Sequence, residues 1–150
     1  MVILDRTYRT HKAKILAGRE MATIKRFEDL ECRQAARELT KYVYKLTKED
    51  EFSKDFGLVN QIRKSSVSSM GNTAEGFHRN SNKDFMKFLG YSCSSVAETV
   101  SHSYVAYDQE YIDDNELEEV KRLADIAWKK INNFISYLNR SYRKKRTSGG

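Results

Sequence analysis

Apolar residues recur every three to five positions through most of this chain, with charged residues between them. Leu30, Ala35, Leu39, Tyr42/Val43 and Leu46 follow this rule, which predicts an amphipathic helix from about Glu28 to Lys48. The polar stretch from Thr47 to Asp55 ends it. A second helix is predicted from about Phe52 or Asp55 to Phe77. Its inner positions, Leu58, Ile62, Ser65, Ser66, Ser69 and Thr73, become small along the way, and small side chains let a neighbouring helix approach closely. These serines and Gly71 therefore read as a tight crossing rather than as nucleophiles. No His/Asp pair in a recognisable context accompanies them as base and orienter.

The third helix starts at Ser81, where Asp84 three residues on makes a capping box with Asp in place of Glu or Gln. It carries Phe85, Leu89, Ser92, Val96, Thr99, Ser103 and Ala106/Tyr107 along one stripe and ends near Tyr107. Asp113 and Glu116 repeat the capping signature. After them Leu117, Val120, Ala124, Ala127, Ile131, Phe134 and Leu138 alternate three and four apart, the heptad of a bundle helix. Four helices joined by short polar turns predict an all-α, up-down-up-down four-helix bundle over residues 25–142. Beside the last heptad, Trp128, Ile135 and Tyr142 form a second stripe at sevenfold spacing. Such a stripe is either a wider core or an oligomer interface.

One stretch between the second and third helices looks like a site. Gly71 and Gly76 in "GNTAEGF" share the spacing of the first half of a phosphate-binding G-x-x-x-x-G-K-[ST] loop. Phe77 and His78 stand where the lysine and hydroxyl belong, and no β-rich run precedes Gly71. The stretch reads instead as a helix end, with Gly76 in a left-handed conformation, followed by a turn. Glu75 and Glu98 raise the idea of a carboxylate pair for acid–base chemistry or a metal. Without a Glu-x-x-His motif they read better as partners of an arginine such as Arg63, or of a helix terminus.

Composition narrows the class. The chain has 150 residues, no proline, 39% hydrophobic and 32% charged residues, which suits one helical domain with few sharp turns. Its two cysteines, Cys32 and Cys93, lack C-x-x-C spacing, and its three histidines are scattered. Zinc-site and disulfide-framework readings are thereby disfavoured, and both cysteines are expected to be small core residues in a reducing compartment. No cofactor and no metal is expected. No apolar run reaches transmembrane length and the apolar start, Val2 to Leu4, is too short for a signal peptide, so the chain reads as cytoplasmic, with no membrane partner.

The net charge of +6 is unevenly spread: +4 over residues 1–25, −3 over 26–138 and +5 over 139–150. Residues 1–24 have no sustained period and are expected to be a flexible basic extension; residues 143–150 are expected to be a basic, Gly/Ser-ending tail. A basic run of this kind either binds phosphates or is simply solvated.

At this level of detail the residues become familiar. "FEDLECRQAARELTKYVYKLT", "FGLVNQIRKSSVSSMGNTAEGF" and "FMKFLGYSCSSVAET" resemble the four-helix-bundle proteins encoded within intervening sequences of bacterial 23S ribosomal RNA genes, over roughly Ile24 to Leu138. The ordered set Gln61-Ile62-Arg63-Lys64, Asn72-x-Ala74-Glu75-Gly76, Phe85-x-x-Phe88-Leu89 and Ser95-x-x-Glu98 carries the resemblance. Phe52-Ser53 stands where relatives often have an aromatic-proline step, Arg33 where they often have tryptophan, and Ser94-Ser95 where they have Gly-Ser. The resemblance implies no established enzymatic activity. The family is structurally similar to the accessory variability determinant proteins of diversity-generating retroelements, which form pentameric barrels and bind nucleic acid and a reverse transcriptase. It thus implies a homopentamer, with RNA or DNA and a nucleic-acid-processing protein as partners. By the same analogy Arg63, Lys64, Arg79, Arg140, Arg143, Lys144, Lys145 and Arg146 are the candidates for nucleic-acid contact. A protein-interaction scaffold that binds no nucleic acid is the alternative.

Overall fold

The computed structural model describes residues 14–17 and 20–147, with side chains for 24–144 and 147. Four long helices form the body: α1 (Glu31–Leu46), α3 (Phe56–Phe77), α4 (Asn82–Asp108) and α5 (Asp114–Thr147), with a one-turn α2 (Asp50–Lys54) between the first two. Each long helix packs on its sequence neighbour, and α5 closes the circuit against α1. That is the up-down-up-down bundle expected from the apolar periods. A short antiparallel ribbon, β1 (Lys14–Ala17) and β2 (Glu20–Thr23), precedes it, with Lys14 opposite Thr23. It lies within the stretch expected to be a flexible extension; residues 1–13 fall outside the described residues.

The capping signatures act as written. Ser81 Oγ accepts from Asp84 N at 3.0 Å, while Asp113 Oδ1 accepts from Glu116 N at 2.8 Å and Glu116 Oε2 from Asp113 N at 3.0 Å. Each box satisfies backbone donors that the first helical turn leaves without partners. Every predicted heptad position of α5, from Leu117 to Leu138, is buried, as are Phe85, Leu89, Val96 and Ala106 of α4. In α1 the core positions are Cys32, Ala36, Leu39, Val43 and Leu46; Ala35 is only half-buried. Arg33 lays its guanidinium 4.9 Å over the Phe27 ring, a planar cation on an aromatic face.

Along the α3/α4 contact the core is built of hydroxyls. Ser65, Ser66, Ser69 and Thr73 of α3 and Ser92, Ser95, Thr99 and Ser103 of α4 are all buried. Thr73 Oγ1 meets Ser92 Oγ at 3.0 Å, Ser92 Oγ also donates to the Ser69 carbonyl, and Thr99 Oγ1 donates to Ser65 Oγ at 2.9 Å. Across the other seam of α3, Thr40 Oγ1 bonds the Ser66 carbonyl at 2.9 Å. Buried hydroxyls are tolerable only when bonded, and these bond to helix carbonyls and to one another. The serines are thus the tight crossing, with no histidine bonded to any of them among the described residues.

Two expectations about glycine fail. Gly71 is exposed, and an added Cβ would meet nothing within 4 Å, so it is no part of the crossing. No described glycine has positive φ, so Gly76 does not end α3 in a left-handed conformation. It lies inside the helix, where an added Cβ would sit 2.7 Å from Phe85 Cδ2 and 2.8 Å from Phe88 Cβ. Gly76 is needed because α4 comes that close. Among the described residues positive φ falls to Asp50 (25°) and Glu110 (60°), and Glu110 closes α4 with Tyr111 N on the Ala106 carbonyl and Glu110 N on the Tyr107 carbonyl, both at 2.9 Å. This is the paired-bond helix ending that usually recruits glycine.

Candidate nucleic-acid interface

Antiparallel packing gathers the loops at two ends. At the first end lie the α1–α3 connection and the α4–α5 turn. Residues 47–55 and 107–119 bring eleven Asp/Glu and two Lys there. At the second end lie residues 24–30, the α3–α4 turn with the start of α4 (77–87), and the end of α5 (138–147), which together carry ten Lys/Arg and three acids. The molecule is therefore acidic at one end and basic at the other.

Both ends are closed by aromatic packing. At the acidic end Phe52, 1% exposed, stacks on Tyr111 with ring centres 5.3 Å apart. The Tyr111 hydroxyl donates to Asp55 Oδ2 at 3.2 Å, and Asp55 Oδ1 caps α3 through Leu58 N at 3.0 Å. Tyr107 donates to Asp114 Oδ1 at 2.6 Å, and this bond to a carboxylate holds its hydroxyl above the usual phenol range. At the basic end Phe85 sits edge-on to both Phe77 and Phe134, and His78 packs between Phe27 and Phe77.

Beyond this plug α5 continues. Leu138 is its last buried residue, and the nine residues to Thr147 extend about 13 Å further at 1.5 Å per residue. The helix thus includes residues 143–147, which the sequence suggested were tail. Arg140, Arg143 and Lys144 are exposed along it; the Lys145 and Arg146 side chains lie outside the described residues. Within the second stripe Trp128 is 48% and Tyr142 38% exposed, whereas Ile135 packs partly against the core. Trp128 and Tyr142 are surface residues rather than wider core.

The other candidates divide between the ends. Arg79, at the basic end, pairs with Glu75 Oε1 at 2.5 Å and lies 4.5 Å over the Phe88 ring. Arg63 and Lys64 are about 20 Å back along α3 from Phe77, counting the helical rise. Arg63 holds Thr47, donating to Oγ1 at 2.7 Å and to the carbonyl at 3.3 Å, with its guanidinium 4.6 Å over Tyr44. It fastens α3 to the last turn of α1. Lys64 is exposed. Sequence reasoning missed Lys83 and Lys87, which join Arg79 at the start of α4; two lysines four apart beside a predicted cap were the available signal.

The carboxylates singled out earlier have separate partners. Glu75 pairs with Arg79, not Arg63, and Glu98 Oε1 lies 3.5 Å from His102 Nε2. Among the described residues no group of three His, Cys, Asp or Glu is placed to hold a metal ion. Cys32 is buried, and burial pushes its thiol up to about 12; Cys93 is half-buried and shifted in the same direction for the same reason. No described helix is long and apolar enough to cross a membrane.

Fold and charge together define a four-helix bundle with one basic end. Residues 28–133 match the 23S rRNA-intervening sequence proteins, and the chain belongs to that family. A solved relative in fold is a protein of unknown function from the S23 ribosomal protein family of Bacteroides thetaiotaomicron VPI-5482. It is 21% identical, with a TM-score of 0.63, over 69% of this chain and 97% of that one. The chain has no match among curated proteins.

Proposed function

We propose that this protein is a non-enzymatic, self-associating bundle of the cytoplasm that binds RNA through its basic end. The observation that carries the reading is the separation of charge: ten Lys/Arg against three acids at one end, eleven acids against two lysines at the other. Phosphate attraction then acts at one end and repulsion at the other, which orients a nucleic acid without any base contact. DNA would be held by the same charges, and a nucleic-acid-processing protein is the further partner.

Binding measured across a salt series tests this. A single strand that covers about five phosphates on one α5 end should give a log–log slope near −3.5, at ~0.7 per contact. Truncation after Asn139 removes five positive charges and should flatten the slope while the helical signal persists. Absence of retention at ~50 mM salt, where phosphate contacts are strongest, overturns the reading.

Self-association rests on Trp128, whose 48% exposure on a bundle helix favours burial against another copy. A closed ring of five is the assembly the family resemblance implies. Native mass measurement should give five chains, and Trp128→Ala should release them without loss of helix; a monomer at micromolar concentration overturns it. The same exposed face supports the second reading, a protein-interaction scaffold. Co-purification from lysate with and without nuclease separates the two.

A further inference from the structure

We infer that the RNA held at the basic end is single-stranded and that Tyr91 is the platform on which one of its bases stacks; this rests on the RNA reading above. The start of α4 and the turn before it interleave cations with rings. Arg79 lies 4.5 Å over Phe88, Phe88 meets Tyr91 edge-on at 5.5 Å, and Lys87 Nζ lies 6.0 Å from the Tyr91 ring centre.

Two members of this ladder are explained by the fold. Phe88 covers Gly76, where it leaves no room for a Cβ, and Arg79 caps that ring while pairing with Glu75. Tyr91 is not explained in this way. It is 45% exposed, its hydroxyl bonds nothing among the described residues, its ring stands perpendicular to that of Phe88, and the Lys87 ammonium lies over it. A half-exposed ring held perpendicular to Phe88, with a mobile lysine ammonium beside it, sets aromatic surface next to phosphate-binding charge.

A base stacks on such a face whatever its identity, because every base has a π-face. A duplex gains nothing comparable along its length, since its bases are already stacked on one another and present edges, 2′-hydroxyls and phosphates rather than π-faces. The ladder therefore separates single strands from duplexes, whereas the α5 cations attract the phosphates of both.

The test uses the full chain with a short fluorescein-labelled oligouridylate and a blunt RNA duplex of the same length, at ~50 mM salt where phosphate contacts are strong. The single strand should bind more tightly. Tyr91→Ala should weaken it about 5- to 140-fold, which is stacking of roughly 1–3 kcal/mol per base converted at 1.4 kcal/mol per tenfold. Duplex binding should not move, Tyr91→Phe should restore the single-strand affinity, and circular dichroism should be unchanged throughout. Equal affinity for the two RNAs, or equal loss for both in Tyr91→Ala, overturns the inference while the salt slope leaves the electrostatic reading standing. No binding of either RNA by the unaltered chain overturns both.

Discussion

The two ends of the bundle are closed by the same physics and differ in almost everything else. Phe52 on Tyr111 plugs one; Phe85 between Phe77 and Phe134 plugs the other. In each case aromatic rings cover the apolar interior where the helices stop, because open ends would expose the heptad residues to water. At the acidic end the helices finish together in bonded turns. At the basic end α5 runs on about 13 Å past Leu138, its last buried residue, and carries a run of cations there. The difference teaches that packing set where the bundle closes, while charge set which end is available to a polyanion.

The largest expected effect comes from opening the acidic plug. Phe52→Ala deletes a ring 1% exposed and should cost about 3–5 kcal/mol in urea unfolding. The helices should remain below the transition, and RNA binding at the far end should be unaffected while the protein is folded. A cost under about 1 kcal/mol would mean that Phe52 does not close this end.

Next is the approach of α3 to α4 under the basic end. Gly76→Ala puts a methyl group 2.7 Å from Phe85 and should destabilise by about 1–3 kcal/mol through overpacking. Gly71→Ala, with open space around it, should instead stabilise α3 by roughly 0.5–1 kcal/mol, since alanine loses less backbone freedom than glycine. Similar values for the two variants would overturn the close approach.

The α4 ending offers a gain rather than a loss. Glu110 holds φ 60°, a conformation that costs a residue with a Cβ about 1–2 kcal/mol. Glu110→Gly should recover part of that, raising the unfolding midpoint by a few degrees. No rise would mean that the Glu110 side chain contributes something the backbone does not reveal.

The smallest effect at neutral pH concerns Cys32. Burial raises its folded-state value from 9.0 to about 12, so the fold favours the neutral thiol. The associated stability is fully present below about pH 9 and is lost as pH climbs toward 12. Moving from pH 8 to pH 10.5 should therefore lower the unfolding midpoint, and Cys32→Ala should fall less steeply. At pH 8 a maleimide should label Cys93 before Cys32, because the thiolate is the reactive form and Cys93 is less buried. Equal rates would overturn the burial of Cys32.

Much of this molecule was legible in one dimension. Four helices, the boxes at Ser81/Asp84 and Asp113/Glu116, and the α5 heptad from Leu117 to Leu138 follow from local geometry. A period near 3.6 places those residues on one face wherever they meet a partner, and a capping side chain reaches only its own first turn. The basic character of the α5 end was also readable, being a property of consecutive residues. Other features depend on which segments become neighbours. Gly76 suggested a left-handed helix end because that is glycine's commonest local use, but it is required by two rings brought in from α4. The true left-handed position fell to Glu110, a residue with no local signature for it. The acidic end is assembled from two segments more than fifty residues apart in sequence, and Arg63, a candidate nucleic-acid contact by family resemblance, fastens α3 to Thr47 through a contact sixteen residues away. Tyr91 was one of several half-exposed aromatics until packing set it perpendicular to Phe88 beside Lys87. Periodicity and capping are intrahelical and survive in the sequence; close approach and charge separation between ends are sums over segments that only the folded bundle brings together.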